Sequence, residues 1–184
     1  MSENISPEAR QAGLTVIAYT AWTIAAGVVR PRGIARISDV FNNWDETFIP
    51  LEDGRLVDPA TGQVESQSRG TLLLPRQEIL LVHEVSAADE PSQRAGVEDM
   101  RVQKQTLLVR VGLGPYAVQG SLYLPQFSTL ANYLNHSEQT FLPLTSALIS
   151  LTAGERLREV RVPFVLVCRG CLLIHEAQLG GTVG

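Results

Sequence analysis

The sequence predicts a mainly β protein made by tandem duplication of one small barrel or roll, with one short helix in each copy. Three observations carry this. Gly27–Leu51 aligns without a gap on Gly120–Leu144, at a constant shift of 93 positions. Gly27 falls on Gly120, Asn42 on Asn135, Thr47 on Thr140, Phe48 on Phe141, Pro50 on Pro143 and Leu51 on Leu144. A second block, Leu80–Glu84, matches Leu172–Glu176 at a shift of 92. Two blocks in the same order, at nearly the same offset, are the signature of an internal repeat. Glycine and proline also punctuate runs rich in β-branched and aromatic residues, the pattern of short strands and tight turns.

Each copy opens with a hairpin. In the second it runs Thr106–Val111, a Gly112-Leu113-Gly114-Pro115 turn, then Tyr116–Leu124; in the first, Leu14–Tyr19 and Trp22–Val29 hold the same place. A short helix follows, Ile37–Asn42 or Leu130–Asn135. Its apolar residues at i and i+4 (Ile37 with Phe41, Leu130 with Leu134) turn one face inward. Ser38, or Ser128 and Thr129, stands where a cap would start the helix, and Asn42 or Asn135 where a left-handed residue would end it. Next comes Phe-x-Pro-Leu, a strand whose proline suits an edge or a bulge. Arg69–Leu74 with Glu78–Val85, and Arg161–Val167 with Cys171–Ala177, close the two copies. The expected organisation is a tail or short helix over 1–13, a first repeat over 14–85, a linker over 86–105, a second repeat over 106–179 and a frayed end over 180–184. Within the first repeat, Leu56–Ser68 reads as a long loop.

With 184 residues and 45% hydrophobic content the chain can bury a core. A net charge of −4 argues against nucleic acid as the main partner, since phosphate binding draws on clustered cations. Lys104 is the one lysine among fifteen basic residues, so an arginine-rich interface is conceivable. Gln11–Val29 carries no charge, but its scattered threonines and the repeat make it two buried strands rather than a membrane span. With no signal peptide and only two cysteines, the expectation is a cytoplasmic protein without a disulfide framework, membrane contact or cofactor.

Candidate chemistry is sparse. His83-Glu84 and His175-Glu176 recur at matching positions, but neighbours on a strand point to opposite faces and cannot share a site. Cys168-Arg169-Gly170-Cys171 is a C-x-x-C pair in a strand–turn–strand setting. A redox pair would open a helix, and a zinc site would need further ligands, of which His175 is the nearest candidate. No G-x-S-x-G, H-E-x-x-H or phosphate-binding loop is present. Phe41, Phe48, Tyr133, Phe141 and Phe164 fall on core positions, which leaves no stacking platform for bases.

The run Gly120-x-Leu122-Tyr123-Leu124-Pro125, then Leu130-x-x-x-Leu134-Asn135, Phe141-Leu142-Pro143-Leu144 and a strand ending in His175-Glu176, is similar to a family of short bacterial β-rich domains of unknown function. The first copy departs from it at Arg30-Pro31-Arg32. In fold alone, the order hairpin, strand, strand, tight turn, strand resembles an Sm-like barrel. That resemblance implies a turn that helps bind RNA, here Arg169 and Gly170, and outer strands that join neighbours into rings. In the first copy Gln77 and Glu78 take the equivalent positions. The absence of catalytic constellations favours a non-catalytic interaction or assembly module, with a protein partner or self-association. A nucleic-acid-binding Sm-like protein, and a metal or redox site at Cys168, Cys171 and His175, stay open as alternatives.

Overall fold

The computed structural model describes residues 13–31, 36–43, 45, 47–85, 103–153 and 156–177. Most of the expected N-terminal segment, most of the linker and the frayed C-terminal end lie outside the described residues. Eleven strands make one antiparallel sheet that is not closed. They are β1 (Leu14–Tyr19), β2 (Ile24–Val29), β3 (Phe48–Val57), β4 (Val64–Gln67), β5 (Thr71–Pro75), β6 (Leu81–Glu84), β7 (Lys104–Leu113), β8 (Tyr116–Pro125), β9 (Phe141–Ala153), β10 (Arg156–Cys168) and β11 (Leu173–Glu176). Two helices, α1 (Ile37–Asn42) and α2 (Leu130–His136), interrupt them. The sheet runs β11-β7-β8-β9-β10-β6-β1-β2-β3-β4, and β5 pairs with β3 beside β4.

Local chemistry explains the turns. β7 and β8 pair from Lys104↔Pro125 to Leu113↔Tyr116, which leaves the two-residue loop Gly114-Pro115. Gly114 takes φ +56°, a left-handed value that glycine adopts without steric cost. In the first hairpin the Thr20 hydroxyl oxygen accepts from the Trp22 and Thr23 backbone N–H groups, at 3.3 and 3.0 Å.

Both β2–β3 and β8–β9 slip register at a glycine, between Ala26 and Val28 in one and between Gln119 and Ser121 in the other. A Cβ on Gly27 would lie 3.0 Å from the Glu52 carbonyl oxygen, and one on Gly120 would lie 3.2 Å from that of Thr145. The aligned glycines therefore mark a bulge where two backbones come too close for a side chain. Pro50 pairs with Leu73 on one side and lies past the last β2–β3 pair, Val28↔Glu52, on the other. Pro143 lies likewise past Ser121↔Thr145. Each proline thus sits where no ladder N–H is asked of it.

Several local expectations are corrected. Ser38 does not start α1: Arg36 precedes the helix, and its backbone N–H donates to the Asp39 carboxylate at 3.2 Å. Thr129 does cap α2, accepting from the Asn132 N–H at 3.2 Å. Neither helix ends in a left-handed asparagine; the closing residues Asn43 and Ser137 have φ −101° and −71°. The expected loop over Leu56–Ser68 contains β4, which pairs with β3. Phe48 is 46% exposed, so one of the five aromatics expected in the core lies outside it.

Buried side chains form two clusters. One gathers β7, β8, β9 and β10 residues such as Val109, Val118, Leu144 and Val165. The other gathers Val16, Ala25, Ile49 and Leu51 with Ile37, Val40 and Phe41 of α1. Among the described residues no helix is long and apolar enough to cross a membrane.

Candidate functional site

The two clusters meet where β6 pairs with β10, Val82 opposite Leu166 and Leu81 opposite Val167. The Cys168 N–H extends this short ladder to the Leu80 carbonyl at 2.8 Å. Partners directly opposite in an antiparallel pair face the same side of the sheet. Leu81 and Val167 accordingly lie in the β7–β10 cluster, whereas Val82 and Leu166 lie in the α1 cluster. Each half of the chain thus sends a leucine into the core of the other. Phe141 and Cys168 also enter the α1 cluster, and Tyr19 enters the opposite one.

A polar clamp sits beside this junction. The Asn42 side chain accepts from the Phe141 backbone N–H at 2.8 Å and donates to the Phe141 carbonyl at 3.1 Å. One amide therefore satisfies both backbone groups of a buried strand residue, as a neighbouring strand would. The Phe141 ring meets Phe41 edge to face, with centroids 5.9 Å apart, and the Arg76 guanidinium lies 5.7 Å from its centroid.

Arg76 and Arg169 each open a 3-10 turn. The Arg76 N–H donates to Thr47 O and the Arg169 N–H to Thr140 O, both at 2.9 Å. Their guanidinium groups donate to Phe41 O at 3.0 Å and to Leu134 O at 2.8 Å, tying each turn to its helix. Arg76, rather than Gln77 or Glu78, is therefore the counterpart of Arg169, since the spare residue Ile79 follows the turn in the first half. Both arginines, with Asp45, Thr47, Thr140 and Gly170, line a cleft of about 480 Å³ over the junction.

The other candidates are scattered. His83 is buried, its ring 3.2 Å from the Tyr19 hydroxyl and 3.2 Å from the Glu84 carbonyl. Burial pushes its pKa below the usual 6.5 and holds the ring neutral. His175 and Glu176 are exposed on β11, with four strands between it and β6 in the sheet order, so the two dyads do not meet. The Cys168 and Cys171 sulfurs are 3.4 Å apart and both are free, Cys168 buried and Cys171 exposed. Burial and the neighbouring sulfur push the Cys168 thiol up to about 11, the opposite of an activated nucleophile. Among the described residues no group of three or more His, Cys, Asp or Glu side chains could hold a metal ion.

Searches for similar proteins do not narrow the assignment. No family model, curated protein or solved structure matches this chain.

Of the residues that define the junction, Asn42, Leu81 and Phe141 stood in the aligned blocks of the sequence and Leu166 in neither, and nothing marked any of them as an interface. The Asn42–Asn135 match was the available signal, because a helix-ending role does not require asparagine at both places.

Proposed function

We propose that this chain is a non-catalytic assembly module, made of two Sm-like units that arose by duplication and that bind through the edges of their sheets. The observation that carries the reading is the junction itself. Two halves, each with its own core, are joined by strand pairing at their edges and by an exchange of leucines across it.

The strand paths support the duplication. One half runs β11-β7-β8-β9-β10 and the other β6-β1-β2-β3-β5, both in the order fifth, first, second, third, fourth. Registers agree as well: Phe48↔Pro75 and Ile49↔Leu74 correspond to Phe141↔Cys168 and Leu142↔Val167 at the shift of 93. The path hairpin, strand, strand, tight turn, strand supports the Sm-like reading of each unit. Two free thiols fit a reducing cytoplasmic setting.

Nucleic-acid binding would draw on Arg76 and Arg169 at the shared cleft. Both guanidinium groups already donate to helix carbonyls, and the net charge is negative, so the assembly reading is favoured. Light scattering at tens of micromolar tests it: a mass above that of one chain is expected, and a monodisperse monomer overturns it. A mobility shift with generic RNA that fades as salt rises from about 50 mM would favour the nucleic-acid alternative instead.

A further inference from the structure

We infer that the partner of this module is a second copy of the same chain, docked head to tail. In this arrangement β5 of one protomer adds to β11 of the next, in the register that β10 and β6 use inside the chain. The inference rests on the assembly reading and names its partner and its surfaces.

Among the described residues β11 pairs only with β7, and β5 only with β3. Among the described residues the far edge of each is therefore an open row of backbone donors and acceptors. In the two strand paths β5 stands where β10 stands, and β11 where β6 stands. The outer edges of the chain are thus the same two surfaces that already bind each other at its centre.

The side chains carry the argument further. At the internal junction Leu81, Leu166 and Phe141 are each 0% exposed. Their counterparts at the outer edges are Leu173, Leu73 and Phe48, exposed by 81%, 59% and 46%. Three large apolar residues are thus exposed at the places whose counterparts are covered by a second unit.

Carrying the internal register outward sets Leu74 opposite the next copy's Leu173, and Leu73 opposite its Ile174. Core membership agrees with this. Leu74 belongs to the α1 cluster, ready to receive Leu173, and Ile174 packs on the β7–β10 cluster, which would receive Leu73. Asn135, at the place of the clamping Asn42, is exposed.

The two surfaces differ, so the contact is heterologous. Repeating it gives a ring if the rotation between halves closes and a filament if it does not.

The test uses the full chain with Cys171→Ser, carrying Leu73→Cys and Ile174→Cys. Mild oxidation should yield a ladder of cross-linked multimers on a non-reducing gel. Neither single cysteine should ladder, and mixing the two single variants should yield cross-linked dimers.

As a second measurement, Leu173→Asp should weaken association by about tenfold or more while its circular dichroism spectrum stays that of the parent. Trp22→Asp, at the β1–β2 turn away from both edges, should leave the mass unchanged. An oligomer that gives no ladder overturns this inference and leaves the assembly reading standing. So does one in which a single cysteine cross-links as well as the pair. A monomer in light scattering ends both.

Discussion

Replacing Asn42 by alanine removes two hydrogen bonds at once, one accepted from the Phe141 N–H and one donated to its carbonyl. Phe141 is fully buried, so water does not replace the amide unless the junction opens. Leaving a buried donor or acceptor unpaired costs about 1–3 kcal/mol for each group. Partial relaxation of α1 against β9 would recover part of that. The expected loss for Asn42→Ala is therefore about 2–4 kcal/mol, a large share of the roughly 5–15 kcal/mol that holds a domain folded. Asn42→Asp should lose a comparable amount, because it keeps the acceptor but sets a carboxylate against a carbonyl oxygen. Asn135→Ala, at the matching exposed position, should change the stability of the isolated chain by less than about 0.5 kcal/mol. Urea unfolding followed by circular dichroism gives all three values, read from the midpoint and slope. An Asn42→Ala protein within about 0.5 kcal/mol of the parent would refute the claim that this amide serves as a strand substitute.

Three other outcomes follow from the buried polar groups. Below pH 6.5 the unfolded chain takes up a proton that the buried His83 ring resists. Stability should therefore fall as pH drops through that value and level off below the lowered pKa of the folded state. The His83→Gln variant should show a flatter urea midpoint between about pH 7 and 5.5, and an equal slope in both proteins would contradict the assignment. Tyr116 is buried with no hydrogen-bond partner for its hydroxyl among the described residues, and burial pushes its phenol up to about 12. Tyr116→Phe should thus leave stability unchanged or raise it by about 1 kcal/mol in thermal unfolding, and a clear loss would reveal a partner for that hydroxyl. Iodoacetamide on the folded protein should label Cys171 and spare Cys168, with both labelled in denaturant; peptide mass spectrometry that finds Cys168 modified first would reverse the order of reactivity.

Much of the strand layout was legible because its causes are local. Leu14–Tyr19 reads as β-branched and aromatic and forms β1 with those bounds. Gly114 and Pro115 make a hairpin turn by their own backbone preferences. The candidate site was legible only in pieces. Arg169 stood out as part of an Arg-Gly turn, but Arg76 was passed over, because the shift of 92 that fits the His-Glu block fails one residue earlier. Ser38 looked like a cap by type and position, yet the Asp39 carboxylate meets the Arg36 N–H instead. Side chains that compete for the same backbone groups are separated only by their geometry.

By itself the sequence determined that the chain is mainly β and where glycine and proline turn it. It could not determine which of two matching residues is buried. Phe48 and Phe141 share a local motif, Leu73 and Leu166 share a register, and Leu81 and Leu173 share a strand position. In each pair one member is exposed and the other is covered. Only the tertiary structure decided this, because burial at a sheet edge depends on what lies beyond the edge, and that is a property of distant chain rather than of the residue and its neighbours.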